Sequence, residues 1–304
     1  MPEPLFSVVV VCYNQENFIR EAVESALSQD FSSREVIVVD DASSDATSRV
    51  LDSFGESIIF AGLAKNGGAP AARNHGASLA RGKYLVFLDG DDVLLPGALD
   101  VYARLVTARS PKLIFGRCNQ SDANTPEAPA TVVPVAIQFV EYPNFLSKDR
   151  PCVFNTSTFV VDRSTFHTAG GWSPEIFYQD IQDLVTKMEV AGKTILVLAP
   201  STVWYRMHPN NSAKKILPFV EGVHVLLAKA KAGRYPGGRK HWAPRSAWFG
   251  GLVFYWTKTA IRARLYRNAL ALLASGWWMI LFAMARRGMA WLVGRKRVEY
   301  LSLA

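Results

Sequence analysis

The stretch that decides the fold is residues 84–92, which read Tyr-Leu-Val-Phe-Leu-Asp-Gly-Asp-Asp. The first five are apolar and predict a strand buried on both faces, as in a parallel sheet. Open α/β sheets bind ligands at the carboxyl ends of such strands, and this end carries Asp89, Asp91 and Asp92. Because adjacent carboxylates repel one another, a cation or donor groups must compensate them. A divalent metal that holds a phosphate fits this run, and an acid-rich turn that caps the next helix is the simpler alternative.

The first two hundred residues alternate short apolar runs with segments of helical period. The predicted strands are residues 7–11, 35–39, 57–61, 84–88, 113–116, 157–161 and 195–198. The predicted helices are residues 16–29, 44–54, 71–80, 97–109 and 177–191. This alternation predicts an α/β fold with a mainly parallel central sheet and helices on both faces. Residues 120–143 are rich in Pro, Thr, Ala and Asn and predict a long surface excursion.

Charge is divided unevenly along the 304 residues. Residues 206–304 hold 18 Lys and Arg against 2 Asp and Glu, a net charge of +16, whereas residues 1–205 hold 16 against 24, a net charge of −8. A basic tail on an acidic body indicates an anionic partner for the tail alone. The start of the chain has no secretory leader pattern, and the three cysteines lack metal-ligand spacing. We therefore expect a cytoplasmic protein.

Polar clusters also follow the first two predicted strands. These are Cys-Tyr-Asn-Gln-Glu at 12–16 and Asp-Asp-Ala-Ser-Ser-Asp at 40–45, and neighbouring strand ends lie about 5 Å apart. Together with Asn-Gly-Gly at 66–68, Ala-Arg-Asn at 72–74 and Asp-Gly-Asp-Asp at 89–92, they resemble family 2 glycosyltransferases in order and spacing. The resemblance covers residues 5–212 and implies the GT-A fold. It implies a catalytic domain at 1–212, with a nucleotide-binding half at about 1–118 and an acceptor half at about 119–212, before a helical basic tail at 213–304.

The resemblance implies a donor site for a nucleotide sugar. Its nucleotide-binding residues would be Tyr13, Asn14, Glu16, Asp41, Asn66, Arg73, Asp89 and Arg206. Asp41 would accept a hydrogen bond from the base, usually uracil, and Tyr13 would lie against that base. Asp89 would touch the ribose or a metal-bound water. Arg73 would support the base pocket against the carboxylate of the second strand, or would be a surface arginine paired with any acid.

Two metal ligands are implied by the same resemblance. Asp91 would bind Mn²⁺ or Mg²⁺, which both favour oxygen ligands. His208 lies in a segment at 205–212 that resembles Tyr-Arg-x-His-x-x-x-Ser, where the histidine reaches the metal or the diphosphate. Arg206 would neutralise phosphate charge there, since its fork engages phosphate oxygens in pairs. A lone histidine is otherwise a surface or packing residue.

The catalytic base is expected in residues 177–184, where the family carries a Glu-Asp pair. Gln179 replaces the glutamate, and Asp180 fits the base; Asp183, one helical turn later, is the reserve candidate. Two acids at a helix start are also common without catalysis. Before this segment, Gly171 and Trp172 resemble the turn that forms the bottom of the acceptor site in the family. Trp172 could stack on a sugar, or could be buried to hold that turn.

The tail at 213–304 has no match to the catalytic pattern. Residues 268–285 are uncharged and are flanked by arginines, at the lower limit of length for a spanning helix. We expect helices that lie on the anionic inner face of the cell membrane, with Trp277, Trp278 and Trp291 at the interface. The alternative is a helical appendage that packs on the catalytic domain or on a second copy. Nucleic acid is not an expected partner because no recognised module accompanies the charge.

The sequence thus predicts an inverting glycosyltransferase that moves a sugar from a nucleotide sugar, most simply a UDP-sugar, to a hydroxyl of a lipid-linked or growing glycan. A nucleotidyltransferase is one rival, but residues 12–18 lack its glycine-rich, basic phosphate loop. The second rival is a non-catalytic scaffold at the membrane that binds a nucleotide or a carbohydrate. Gln179, in place of the family's glutamate, would then indicate that catalytic activity has been lost.

Overall fold

The computed structural model describes residues 3–122, 136–148, 155–209, 211–294 and 296–302. Its strands are β1 Phe6–Cys12, β2 Arg34–Asp40, β3 Ile59–Gly62, β4 Tyr84–Asp89, β5 Val93–Leu94, β6 Leu113–Asp122, β7 Ala136–Tyr142, β8 Phe159–Asp162, β9 Thr194–Met207 and β10 Glu299–Ser302. Its α-helices are α1 Ile19–Leu27, α2 Thr47–Asp52, α3 Ala69–Leu79, α4 Ala98–Arg109, α5 Arg163–Thr168, α6 Asp180–Lys187, α7 Ile216–Lys231, α8 Trp242–Arg262 and α9 Tyr266–Val293.

One half of the sheet is parallel, in the order β3-β2-β1-β4. Its strands are apolar on both faces because α1 and α4 pack on one side and α3 on the other, so two apolar cores flank the sheet. The predicted α/β GT-A architecture is confirmed. The five sequence-predicted helices are all present. Four of them lie inside their predicted bounds and are shorter, whereas α3 begins two residues earlier and ends one residue earlier than predicted.

The other half of the sheet is antiparallel, apart from the parallel pair of β6 and β9. β8 lies antiparallel between β4 and β6, and β5, β7 and β10 each add an antiparallel pair. The sheet is therefore mixed, and the expected parallel order holds for its first four strands. Residues 136–142, expected in a surface excursion, form β7 instead; residues 123–135 of that excursion lie outside the described residues.

The carboxyl-terminal helices form a bundle with its own apolar core. α8 and α9 pack so closely that a Cβ on Gly250 would lie 1.9 Å from the carbonyl oxygen of Met279. The bundle is tied to the α/β part of the chain by the buried pair of Arg245 with Glu189 and by Arg286, which donates to the carbonyls of Leu146 and Lys148. The expected helical tail thus contacts the body along its length.

The chain returns to the sheet after α9, which the sequence did not predict. β10 pairs antiparallel with β7, and Glu299 forms a 2.7 Å ion pair with Arg109 of α4. Within α9, residues Tyr266–Met289 form a helix long and apolar enough to cross a membrane, with mean hydropathy 1.6, and 28% of that stretch is buried. Length and composition alone would allow a span, but the helix also packs against α7 and α8, and its Arg286 is bonded to the carbonyls of Leu146 and Lys148.

Candidate active site

The tips of β1, β2 and β4 lie side by side, as the motif spacing predicts. The register sets Cys12 opposite Asp40 and Val11 opposite Asp89, so the three polar clusters share one edge. Gly90 packs directly against the residues at the end of β1. A Cβ on Gly90 would lie 2.3 Å from Gln15 Oε1 and 2.9 Å from Cys12 Cβ. The glycine between the acids is therefore required by packing, and it lets the Asp-Gly-Asp-Asp run turn across the end of β1.

Asp41 closes a loop beside this edge. Its two carboxylate oxygens accept hydrogen bonds from the backbone N–H groups of Gly67 (2.8 Å) and Gly68 (2.6 Å), and the residue is 2% exposed. Gly68 has φ +82°, and a Cβ there would overlap the ring of Phe177. The carboxylate holds the loop in place, and its predicted contact with a nucleotide base stays a prediction.

The residues after β1 join the β1 and β2 tips. Asn14, in the left-handed region at φ +53°, accepts a hydrogen bond from Ser44 N (2.8 Å), and Glu16 accepts one from Ala46 N (2.9 Å). These bonds leave the Tyr13 ring 47% exposed at the rim. Asn66 is exposed in the loop closed by Asp41. This arrangement is suited to an exposed ring that covers a planar ligand.

Asp91 and His208 meet at this edge although they are 117 residues apart. The short strand β5 pairs with β9, with Val93 opposite Trp204, and this pairing brings the end of β9 to the acid run. The distance from Asp91 Oδ2 to His208 Nε2 is 2.9 Å. The ring of Phe18 stacks on the imidazole, with ring centroids 4.9 Å apart, and fixes its plane.

The donor set fits a divalent cation of the Mn²⁺ or Mg²⁺ kind. A carboxylate oxygen suits both ions, and one imidazole nitrogen is better tolerated by Mn²⁺. No group of three or more His, Cys, Asp or Glu side chains able to hold a metal occurs among the described residues. Asp91 and His208 would thus supply two ligands, with the remaining positions left to phosphate oxygens and water.

Asp92 is fully buried behind the run and does not face the site. It accepts hydrogen bonds from Ser157 Oγ (2.5 Å) and from Arg206 N (3.1 Å). Burial, and then the charges of Asp91 and Asp89, raise the pKa of Asp92 well above its usual range. Ser157 Oγ also accepts a hydrogen bond from Asp89 N (3.1 Å). Ser157 therefore links the carboxylate of Asp92 to the backbone of Asp89.

Arg206 is nearly buried beside the Asp91–His208 pair. Its Nε donates to the Asp91 carbonyl (3.0 Å), and its Nη2 pairs with Glu21 of α1. The guanidinium carbon is 4.5 Å from the centroid of the Trp204 ring. The side chain is held next to the acid run, and its predicted contact with donor phosphate stays a prediction.

Arg73 pairs with acids other than Asp41 of the second strand and is not at the surface, which corrects both expected pairings; its role in the base pocket stays a prediction. Arg73 is 4% exposed, and its guanidinium bridges two other acids: Nη2 lies 2.7 Å from Asp89 Oδ1, and Nη1 lies 2.6 Å from Asp180 Oδ2. The physical reason is the position of Arg73 on the buried side of α3, which packs on β1 and β2, so that the long side chain reaches the end of β4 and the start of α6. The carboxylate of Asp41 is already satisfied by the glycine loop.

Asp180 is the acid of α6 that faces the site. It begins the helix, and its Oδ1 accepts a hydrogen bond from Ile181 N (2.8 Å). Burial raises the pKa of Asp180, while Arg73 acts in the opposite direction. A carboxyl group with a raised pKa, close to a donor-side acid, is suited to accept a proton.

Asp183, the reserve candidate for the base, is enclosed and faces away from the site. Its oxygens accept hydrogen bonds from Ser173 Oγ (2.6 Å) and Tyr235 OH (2.8 Å), and Lys229 Nζ lies 2.8 Å away. These partners belong to the turn before α6 and to the carboxyl-terminal bundle. The reserve reading is wrong because α6 turns this residue inward, where it joins two parts of the molecule.

Gln179 also points away from the site. Its Nε2 donates to the carbonyl of Phe219 on α7 (3.0 Å), and a Cβ on Gly222 would lie 2.8 Å from its Cγ. The departure from the family's glutamate is therefore at a packing position. It does not remove a carboxylate from the neighbourhood of Asp180.

Trp172 is 1% exposed, so the alternative in which it stacks on a sugar is wrong. Its ring packs edge-on against Phe87, with centroids 5.3 Å apart. Asn74 holds the turn at Gly171, since its side chain accepts from Trp172 N (2.9 Å) and donates to Trp172 O (2.8 Å). The predicted acceptor pair thus acts as a buried support in this region, and the half-exposed ring here is that of Phe177.

Four residues that matter to this geometry were not singled out from the sequence: Phe18, Asn74, Ser157 and Phe177. Asn74 had a signal, because it completes the Ala-Arg-Asn motif. Ser157 opens the segment that leads into β8, and only the antiparallel pairing of β8 with β4 sets it beside Asp89. Phe18 and Phe177 carry no pattern that separates them from core residues.

The fold and the acid-rich edge of the sheet together define an α/β protein of the GT-A kind. The model of "Glycosyl transferase family 2" matches residues 7–163. Because that match covers more than half of the chain, the protein belongs to glycosyl transferase family 2.

Curated relatives match the amino-terminal part. The putative teichuronic acid biosynthesis glycosyltransferase TuaG of Bacillus subtilis is 35% identical over 116 residues, which are 37% of this chain and 46% of TuaG. The uncharacterized glycosyltransferase RP339 of Rickettsia prowazekii is 35% identical over 115 residues, 38% of this chain and 36% of that protein. The chain thus matches less than half the length of these relatives.

Solved structures extend the likeness to most of the chain. S. aureus TarS 1–349 in complex with UDP-GlcNAc has a TM-score of 0.59 at 16% identity and covers 89% of this chain and 90% of its own. The mannosyltransferase PcManGT from Pyrobaculum calidifontis, in complex with GDP-Man and Mn²⁺, has a TM-score of 0.58 at 16% identity and covers 97% and 89%. At these identities the likeness shows the fold alone.

Proposed function

We propose that the protein is an inverting glycosyltransferase that moves a sugar from a nucleotide sugar to a hydroxyl group of a lipid-linked or growing glycan. One observation carries this proposal: a carboxylate–imidazole pair, Asp91 with His208, and a partly buried acid, Asp180, are joined to the same acid run through Asp89 and Arg73. A metal-and-phosphate group on one side and a proton acceptor on the other are what glycosyl transfer requires.

The donor would lie across the tips of β1, β2 and β4. The exposed ring of Tyr13 would cover the base, the loop held by Asp41 would border it, and Asp89 would meet the ribose. A UDP-sugar is the first choice, since TarS was solved with UDP-GlcNAc; GDP-Man, found with PcManGT, is the comparison to test. The sugar itself is left to experiment.

Asp91 and His208 would hold Mn²⁺ or Mg²⁺ together with the donor diphosphate. Such an ion supplies positive charge to the leaving group when it is bound. Arg206 adds a fixed positive charge within contact of Asp91, and Phe18 keeps the imidazole in one orientation. Asp92 and Ser157 hold the backbone of the run, so the ligand oxygens are positioned before the donor arrives.

Asp180 would accept the proton of the acceptor hydroxyl. The hydroxyl oxygen forms the new bond to the anomeric carbon from the face opposite the diphosphate, and the bond from that carbon to the phosphate oxygen breaks with its electron pair. The nucleoside diphosphate leaves, and inversion follows from attack on the opposite face. Burial of Asp180 supports this role because desolvation strengthens a carboxylate as a base.

The basic tail would bind an anionic membrane surface as a peripheral anchor. α9 is kinked at Gly276, and beyond the kink Trp277, Leu281 and Met284 are exposed at spacings of four and three, so these three share one face. Arg262, Arg264 and Arg267 are exposed at one end of this helix and Arg287 at the other. Trp278 is half-buried against Trp242, and the side chain of Trp291 lies outside the described residues. Contacts with α7 and α8, and the bonds of Arg286 to Leu146 and Lys148, favour a helix that lies on the membrane.

The test is a transfer assay that also detects the leaving group. Purified protein is given UDP- and GDP-sugars with Mn²⁺ or Mg²⁺ and lipid-linked acceptors, and the released nucleotide is identified. We expect a nucleoside diphosphate, loss of turnover in excess EDTA, and loss of turnover in Asp91→Asn. Release of pyrophosphate would mean a nucleotidyltransferase. Binding of UDP and Mn²⁺ with neither hydrolysis nor transfer would contradict the proposal in favour of a scaffold.

A further inference from the structure

A single guanidinium joins the two halves of the proposed active site. Arg73 of α3 contacts Asp89 at the end of β4 and Asp180 at the start of α6, which is 107 residues away in sequence. The two contacts use different nitrogens, Nη2 and Nη1, at 2.7 and 2.6 Å. The planar fork of arginine allows both bonds at once, whereas the ammonium of lysine is a single point of charge.

The guanidinium is held in a rigid setting. Its central carbon lies 5.0 Å from the centroid of the Trp172 ring, and that ring is fixed by Phe87 and by the backbone bonds of Asn74. The cation–aromatic contact is strongest where water is excluded, as it is here. Trp172 therefore has a task in the site although it is buried: it supports the arginine that contacts both acids.

Charge explains why this arrangement matters for Asp180. The charged groups that act on it in the described structure are Arg73, which stabilises its ionised form, and Asp89, which opposes it. Desolvation also opposes ionisation. Arg73 is thus the group whose charge favours the ionised form of Asp180. It binds Oδ2, so Oδ1 is the oxygen that remains on the side of the helix start.

We infer that Arg73 is a positioning residue for the catalytic base, which ties the orientation of Asp180 to the first acid of the donor-binding run, and that it does not bind the nucleotide base. This inference rests on the proposed function. It assigns Arg73 to the chemical step, so its loss should lower kcat and leave the affinity for nucleoside diphosphate largely unchanged.

The experiment compares Arg73→Gln and Arg73→Lys with wild type and with two reference variants. Arg104→Gln removes an exposed arginine that pairs with Asp100 on α4, and Asp41→Asn alters the loop beside the expected base pocket. The readouts are kcat and KM for transfer, the Kd for UDP with Mn²⁺, and the pH dependence of kcat. Circular dichroism confirms that each variant is folded.

We expect Arg73→Gln to lower kcat by about 100-fold or more, the low end of what a general base contributes, with the UDP Kd changed less than about threefold. Because the Asp180 pKa rises without the guanidinium, the acidic limb of the kcat profile should move to higher pH. In Arg73→Lys the acidic limb should move part of the way back toward its wild-type pH, whereas kcat should recover little, since a lysine supplies the charge but cannot make both bonds of the guanidinium. Arg104→Gln should behave as wild type.

Two results would overturn the inference. One is a weakened UDP Kd with unchanged kcat in the Arg73 variants, as expected for a nucleotide contact and for Asp41→Asn. The other is a lower kcat in both variants with the acidic limb of the kcat profile at its wild-type pH, as expected if Arg73 only stabilises the fold. If Arg73→Gln does not fold, Arg73→Lys carries the pH comparison. Failure of wild type to transfer any sugar would instead count against the proposed function.

Discussion

Two aspartates at the start of α6, Asp180 and Asp183, lie one helical turn apart and differ in their surroundings. Asp180 faces Arg73 and the donor-side acids, whereas Asp183 is enclosed by Ser173, Tyr235 and Lys229. Periodicity puts both on nearly the same helix face and cannot tell them apart. The difference arises from the turn before α6 and from α7, which cover one of the two positions.

Matched substitutions should separate the two acids. Asp180→Asn should lower transfer by about 10²–10⁴-fold, the contribution of a general base, with little change in melting temperature. Asp183→Asn should lower the free energy of unfolding by roughly 1–3 kcal/mol, because an amide cannot satisfy the same buried donors, and should retain most of the turnover per folded molecule. Urea unfolding and initial rates measure both. Equal rate losses in the two variants would contradict the assignment.

The buried Asp92 gives a further residue-scale prediction. Asp92→Ala removes the acceptor of Ser157 Oγ and Arg206 N, so Asp89 and Arg206 should lose their fixed positions. We expect weaker binding of UDP with Mn²⁺ and a loss of stability of roughly 1–3 kcal/mol. Ser157→Ala is the milder partner, since it breaks the same relay and leaves Arg206 N bonded. Calorimetric titration of both variants with UDP and Mn²⁺ checks that Asp92→Ala weakens binding more than Ser157→Ala does.

At the scale of elements, much of the parallel half could be predicted from the sequence and much of the other half could not. Apolar runs such as residues 84–88 mark buried strands without help from the rest of the chain. β5 has two residues, too few for any period, yet its pairing with β9 brings His208 to Asp91. β7 could not be predicted because it lies in a segment, residues 120–143, whose composition is typical of loops. These strands depend on partners far along the chain, which local patterns do not encode.

Strand β10 offers a test of how an element from the tail supports the body. Removing residues 299–304 takes away its pairing with β7 and the bond of Glu299 to Arg109. We expect a lower free energy of unfolding, a looser carboxyl-terminal bundle in hydrogen exchange, and unchanged affinity for UDP with Mn²⁺. Glu299→Gln is the control, since it removes an exposed ion pair worth about 0–1 kcal/mol. Equal stability of the truncated and full chains would contradict a supporting role.

The whole molecule has an acidic catalytic body and a basic helical bundle, with net charges of −8 at residues 1–205 and +16 at 206–304. The two are packed together, so the charge separation is fixed in space. An anionic surface would attract the bundle and repel the body. This difference in charge predicts that the basic bundle, and not the acidic body, faces an anionic surface.

Membrane attachment can be measured with vesicles. We expect the protein to sediment with vesicles that contain anionic phospholipid and to be released by high salt, since each basic residue near such a surface contributes about 1 kcal/mol. Trp277→Ser with Leu281→Ser should weaken this binding strongly. Phe60→Ser, a half-exposed aromatic on β3, is the matched control. Salt-resistant attachment that survives carbonate extraction would instead indicate a spanning helix.

The contact of Phe177 with Gly68 has a practical use. This uncharged, 52% exposed ring stands between the glycine loop and the helix that starts at Asp180. Asp41, Arg73 and Asp180 in this region each carry a charge and a hydrogen bond whose removal would disturb the site. An engineer who wishes to enlarge the entrance for bulkier substrates can therefore begin a small mutant library at position 177, where trimming the ring frees volume and leaves the ion pairs intact.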